Sequence, residues 1–230
     1  MGGHLEIFTV GHSTRTTLEL IDVLQAHGVT HVVDVRSIPR SRRHPQFDQE
    51  ALRAALRDAG IAYTHLAALG GRRPRSKDVD ESVNAGWTVQ AFHNFADYAR
   101  SQAFRDGLRR LLRLGGKEAC AIMCAEAVWW RCHRRIIADH LLADGVGVTH
   151  LLSRTTATPA TLTPFAVVGP SGRVSYPARG ANPEGKENQA PRGGLPRRPP
   201  AGRPMRSPQR AKAYVLRPTR RPSGSRKYSV

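Results

Sequence analysis

Cys124, Glu126, Cys132 and His133 fall within ten residues of one another, in the run C-A-E-A-V-W-W-R-C-H-R-R from Cys124 to Arg135. Cys124 closes a short apolar segment, and Cys132 opens a stretch with helical spacing. A thiol at a strand end, near helix-terminal N–H groups and guanidinium groups, ionises below the ordinary cysteine value of ~8.5. The thiolate is then a nucleophile toward carbon, phosphorus or sulfur. Cys124 is placed in that role, and Cys132 is either the thiol that resolves an oxidised Cys124 or the nucleophile itself. His133 is a base or an orienting group. Glu126 is a general acid/base, or it pairs with Arg131 or Arg134. Set against this is the plain reading of Cys124 as a buried strand cysteine, on the same face as Cys120. A structural zinc would need four tetrahedral ligands. Cys124, Cys132, His133 and the distant His12 supply them only if the fold converges, and the spacing matches no finger, so no metal is expected.

These residues need elements to position them. Ile7–Val10, Thr30–Val35, Ile61–Leu66, Cys120–Cys124 and Val146–Leu152 read as strands, several as nearly continuous apolar runs of the kind buried on both faces. Helical spacing separates them. Thr16 with Glu19 makes a capping box for the first helix, and Gly28 ends it. Asp48 is placed as the cap of the second helix and Gly60 as its stop. Phe92–Ala99 and Phe104–Leu112 mark two more helices, and Cys132–Ala143 the last. Thr163–Tyr176 reads as a hairpin turning at Gly169–Gly172. The pattern predicts an α/β domain over residues 5–178: one doubly wound, mostly parallel five-stranded sheet with helices on both faces and a C-terminal β-hairpin.

In such sheets ligands bind beyond the carboxyl ends of the strands. Those ends carry Gly11-His12-Ser13, Asp34 to Arg36, Gly70-Gly71-Arg72 and Cys124 to Glu126, so the unusual residues share one rim. His12 and Ser13 form a strand-to-helix turn of the type that holds phosphate or carboxylate. Arg36, Arg40, Arg42, Arg43, Arg72 and Arg73 have few acidic neighbours in sequence. They are expected to hold an anionic substrate, with Asp34, Gly71 and Arg134 beside them; the alternative is a solvated basic face. Trp129 and Trp130 wall a pocket or plug the sheet end. Trp87 lies in a polar excursion, Pro74 to Thr88, that is long enough for a lid or binding loop. It is the tryptophan hardest to explain as core, and with Trp130 it is placed at the substrate.

The net charge of +18 over 230 residues is uneven. Residues 179–230 hold 14 Lys and Arg against 2 Asp and Glu, with 9 of the 16 prolines. A segment of that composition cannot bury a core and is expected to be disordered. It is either a loose polyanion-binding arm or a tail without a dedicated partner. Three cysteines make no disulfide framework, and no secretory leader or apolar span stands out, so a cytoplasmic location is expected. There is no G-x-x-x-x-G-K-[ST] loop, and no G-x-G-x-x-G after the first strand, so no cofactor is expected.

Taken together, G-H-S-T at Gly11–Thr14, D-V-R-S-I-P-R-S at Asp34–Ser41, L-G-G-R at Leu69–Arg72, N-A-G-W at Asn84–Trp87 and M-C-A-E-A-V-W-W-R-C-H-R-R from Met123 resemble the family called domain of unknown function 488. The similarity runs from about Ile7 to Ala178, including L-T-P-F-A and V-S-Y-P. The resemblance implies a cytoplasmic α/β domain and marks these positions as motif residues, but it supplies no reaction. In layout alone, a strand ending D-V-R and a later strand ending in Cys are also similar to rhodanese-like sulfurtransferases and cysteine phosphatases. Arg131 follows Cys124 by seven, where a phosphate-cradling loop wants six, and Ala125–Trp130 is bulky for such a loop. Two functions remain open. One is a thiol-dependent enzyme acting on an anionic substrate such as a nucleotide or nucleic acid; the other is a non-catalytic nucleic-acid-binding module.

Overall fold

The computed structural model describes residues 5–178. The expected disordered basic tail, residues 179–230, lies outside the described residues.

Five strands run parallel: β1 (Glu6–Gly11), β2 (His31–Asp34), β3 (Ala62–His65), β4 (Cys120–Cys124) and β5 (Gly147–Leu151). A sixth, β6 (Ala157–Pro159), is antiparallel and completes the order β3-β2-β4-β1-β5-β6. The sheet therefore has six strands rather than five. The added strand pairs Thr149 with Pro159 and Leu151 with Ala157, and all three of its residues are exposed. A three-residue, proline-ended edge strand carries no apolar alternation, so its pattern is invisible in the sequence.

Helices α1 (Thr17–Ala26) and α2 (Gln49–Asp58) cover one face, packing Leu20, Leu24, Leu52 and Leu56 with Val10, Val32, Ala121 and Met123 of the strands. Helices α3 (Gln90–Tyr98), α4 (Gln102–Gly115) and α5 (Arg134–Ala143) cover the other, packing Phe95, Phe104, Leu111, Ile136 and Ile137 with Ile7, Val33, Cys120, Ile122 and Cys124. Alternate residues of β4 feed the two cores, which makes the fold doubly wound. The hairpin is β7 (Val167–Val168) with β8 (Val174–Ser175).

Local signals act as their chemistry requires. Thr16 and Glu19 form the reciprocal capping box of α1. Gly28 and Gly60 take the left-handed backbone (φ 67° and 75°) that ends α1 and α2. Asp48 flanks α2 but does not cap it by side chain; its Oδ1 accepts from the Ser41 N–H at 2.7 Å and braces the basic loop before the helix.

The excursion from Pro74 to Thr88 is anchored at its far end. Asn84 is fully buried, donates to Asp97 Oδ1 at 2.8 Å and accepts from the Tyr176 N–H at 3.2 Å. The Gly86 N–H donates to the Tyr176 carbonyl at 2.7 Å. Trp87 is 8% exposed and packs among Phe92, Phe165 and Tyr176. It is a core residue joining excursion, helix and hairpin, and this corrects its expected place at the substrate. Its aromatic partners lie 5, 78 and 89 positions away, too scattered for sequence pattern to connect.

Asn84→Ala is expected to lower unfolding stability by ~2 kcal/mol, because it takes the amide donor from the buried Asp97 carboxylate. Urea unfolding monitored at the tryptophans checks this; a loss below ~0.5 kcal/mol would show that Asn84 is not the anchor.

Candidate active site

The rim geometry starts from backbone. In the parallel register Gly11 lies beside Cys124 and Asp34 beside Met123. Past the strand ends, the His12 and Ser13 N–H groups donate to the Cys124 and Ala125 carbonyls, both at 3.0 Å. Those donors are spent on tying β1 to the loop after β4. The turn is not the free anion cradle expected from sequence, and His12, 2% exposed, faces Phe47 at a centroid distance of 4.1 Å. Gly11 has to be glycine, since a Cβ there would stand 1.9 Å from the Glu126 carbonyl oxygen.

Beneath this loop Cys124 and Cys132 meet, with Sγ atoms 2.7 Å apart and residues 2% and 3% exposed. Cys132 is not on the return helix. It precedes α5, following the turn Trp129–Arg131, and His133 takes the position before the first helical residue. His133 Nε2 donates to the Val35 carbonyl at 3.1 Å, which leaves Nδ1 turned toward Cys132 Sγ at 3.4 Å. Gly71 permits this ring position, because a Cβ on it would come within 2.5 Å of His133 Nδ1. The L-G-G-R segment therefore serves by lacking side chains.

Arg134 is 1% exposed. Its Nη2 donates to the Glu126 carbonyl at 2.6 Å, its Nη1 reaches Thr9 Oγ1 at 3.4 Å, and its Nε has no partner. Among the described residues no carboxylate pairs with it. Burial would lower its pKa, but the neighbouring Cys124 and Cys132 more than offset that and raise it. The buried cation thus takes its counter-charge from sulfur.

The two sulfurs differ in their surroundings, and the pull toward the anion is on Cys132. Burial pushes its pKa up, yet the Cys124 thiol, His133 and Arg134 together hold it well below the usual cysteine range. Cys124 is raised, first by burial and then by donating to Cys132. The sequence left both Cys124 and Cys132 open as the nucleophile; of the two, Cys132 is the one that His133 meets. The Glu126 N–H also points at Cys124 Sγ, at 3.3 Å. The Glu126 side chain is exposed and pairs with neither Arg131 nor Arg134; its backbone serves the site. Cys120 lies on the same strand face but is pushed up to about 12 by burial.

Arg36 also departs from expectation. It is 6% exposed and clasped by the fully buried Asp34, with Nε–Oδ1 at 2.9 Å and Nη2–Oδ2 at 2.6 Å. Tyr63 donates to the same carboxylate at 2.8 Å. Asp34 and Arg36 neutralise each other and brace the rim, so neither is free for a substrate. Arg40, Arg42, Arg43, Arg72 and Arg131 are exposed and form no ion pair among the described residues. Trp130 is 46% exposed and stands edge-on to Trp129.

Sequence reasoning missed Thr9 and His150. They are register partners on β1 and β5, and their side chains hydrogen-bond at 2.8 Å. Thr9 accepts from Arg134 and donates to His150 Nδ1, while Trp129 stacks on the His150 ring at 4.2 Å. A polar residue at a buried position in each strand was the available signal.

Cys124, Cys132 and His133 are also the one set of three potential metal donors among the described residues, with all ligand atoms within 4.8 Å. Two sulfurs on one tetrahedral zinc, each at ~2.3 Å, stand ~3.8 Å apart, well beyond the separation here. His12 does not complete the set, since its Nδ1 meets the Ser13 carbonyl and its Nε2 faces Arg36. The arrangement is a close sulfur pair beside a buried guanidinium.

A doubly wound α/β domain with a dithiol sealed under its carboxyl-end rim is what fold and site define. The family model described as Domain of unknown function DUF488 matches residues 16–141, and the chain belongs to that family. The match covers Asp34, Gly71, the thiols and His133, but not the G-H-S-T turn or the hairpin. No curated protein and no solved structure matches the chain. No helix among the described residues is long and apolar enough to cross a membrane.

Burial holds His12, His140 and His150 at about 4, against an ordinary 6.5, so all three are neutral in the native fold. As pH falls below 6.5 the unfolded chain binds their protons first. Stability is therefore full above that value and declines toward about 4, at most ~1.4 kcal/mol per pH unit for each ring. His150→Asn should flatten this slope in urea unfolding between about pH 7 and pH 5; a wild-type protein equally stable at both would contradict the buried neutral rings.

Proposed function

We propose that this protein is a thiol-dependent enzyme whose nucleophile is the Cys132 thiolate and whose substrate is anionic. The observation that carries the reading is Arg134, a buried cation with no carboxylate beside it and two sulfurs in its place. A thiolate is the species that satisfies that charge. Cys124 would hold the thiolate by its S–H and supply a proton as charge develops elsewhere. His133, fixed through Nε2 to Val35, presents Nδ1 as the proton acceptor. The exposed Arg40, Arg42, Arg43, Arg72 and Arg131 would draw an anionic substrate to the rim, with Trp130 as a flat surface against it.

A second reading rests on those same unpaired arginines: a non-catalytic nucleic-acid-binding module using the basic rim together with residues 179–230. Phosphate contacts of that kind give steep salt dependence and weak sequence preference. Deleting residues 179–230 and replacing Arg42 and Arg72 with glutamate would then abolish binding to a single-stranded oligonucleotide.

The experiment that separates the two is the pH profile of alkylation by a small haloacetamide on the full chain, resolved by peptide for Cys120, Cys124 and Cys132, alongside a metal assay. The enzyme reading expects Cys132 to titrate below the ordinary cysteine value of ~8.5. Arg134→Met should return it to or above that value, and Arg134→Lys should keep part of the shift. A Cys132 profile at or above the ordinary value in metal-free protein overturns the reading, as does reactivity that emerges only after a chelator is added.

A further inference from the structure

We infer that Cys132 and Cys124 form a reversible two-electron dithiol–disulfide couple, with Cys132 attacking and Cys124 resolving, whose substrate class is a small disulfide bearing carboxylates. The inference rests on the proposal that Cys132 is the thiolate, and adds to it what the second cysteine does and what the site reacts with. Three observations carry it. The sulfurs stand 2.7 Å apart, so little motion separates the pair from the ~2.05 Å of a bond. The chain between them is short and already folded over them, held by the Glu126 N–H on Cys124 and by Arg134 on the Glu126 carbonyl. The rim above is lined by unpaired arginines that suit a carboxylate-bearing partner.

The chemistry balances with that partner as the oxidant. The Cys132 thiolate attacks one sulfur of RS–SR, forming a Cys132–SR bond and releasing RS⁻. Cys124 gives its proton to the departing first RS⁻ and attacks Cys132 Sγ, and the second RS⁻ leaves. Two cysteine sulfurs are oxidised, the small disulfide is reduced, and one thiol and one thiolate depart. The reverse sequence passes the disulfide on to another thiol pair.

Arg134 sets the poise of the couple. In the reduced form it faces a thiolate; in the disulfide it faces no anion. The fold therefore stabilises the reduced state, and the disulfide is a ready oxidant. Cys120, fully buried and held high, is the internal control.

The test is to incubate the full-length protein in defined mixtures of reduced and oxidised glutathione, quench with acid, alkylate, and identify the peptides by mass spectrometry. Expected are an internal Cys124–Cys132 bond in the wild type, a trapped Cys132–glutathione adduct in Cys124→Ser, and a free Cys120 throughout. Arg134→Met should shift the equilibrium at least tenfold toward the disulfide, about 30 mV for two electrons, with Arg134→Lys near the wild type. If Arg134→Met does not fold, Cys124→Ser and Arg134→Lys carry the test. A glutathione adduct on wild-type Cys132 that never resolves would overturn the couple, as would inertness to glutathione. Either result, obtained beside a depressed Cys132 alkylation profile, leaves the thiolate nucleophile standing. An undepressed profile removes both.

Discussion

A guanidinium placed where water cannot reach it needs oxygen acceptors and an opposite charge, because an unpaired buried ion costs several kcal/mol. Arg134 has its acceptors in the Glu126 carbonyl and Thr9. Among the described residues no carboxylate supplies the charge, and Cys124 and Cys132 stand beside it instead. The rest of the rim follows from that demand. On the proposed reading Cys132 is the anion and Cys124 donates to it, while His133 is locked by the Val35 carbonyl so that its other nitrogen faces the Cys132 sulfur. Thr9 links Arg134 to His150, and Trp129 covers the ring. Most of the buried polar groups around the thiols thus serve one charge.

Backbone does the remaining work. The loop after β4 is stitched to β1 by the His12 and Ser13 N–H groups, at a spacing that only Gly11 allows. Gly71 lets the segment after β3 close on His133. Asp34 and Arg36 stiffen the end of β2, with Tyr63 of β3 bonded to the same carboxylate. Four strand ends are therefore cross-braced around two sulfurs, and the unpaired arginines are left outside, on the solvent side. A charged interior with a basic exterior is the arrangement on which the proposed function rests.

The parallel sheet and its helices were legible because each rests on local signals: apolar runs for strands buried on both faces, the Thr16–Glu19 box, and glycines where helices end. The convergence of strand ends follows from topology, so the cysteines, His133 and Gly71 fall on one rim by the order of the elements alone. Pairing was not legible. Arg36 looked free because its partner, Asp34, lies two residues away on a strand whose side-chain directions sequence alone does not give. Trp87 looked like a loop residue because its partners come from a helix and a distant hairpin. The identity of the thiolate depended on which sulfur His133 reaches, a matter of how the chain turns at Cys132 before the helix begins. The antiparallel edge strand β6 carried no pattern at all.

The central claim is that one thiolate exists in the resting protein and that it is Cys132. Titrating the ultraviolet absorbance of the thiolate in the full-length wild type, Cys124→Ser and Cys132→Ser proteins tests it most directly. The account predicts one thiolate at about pH 7 in the wild type, retained in Cys124→Ser and lost in Cys132→Ser. Absorbance that rises only at alkaline pH in all three would contradict it, and would leave Arg134 without the anion on which the site is built.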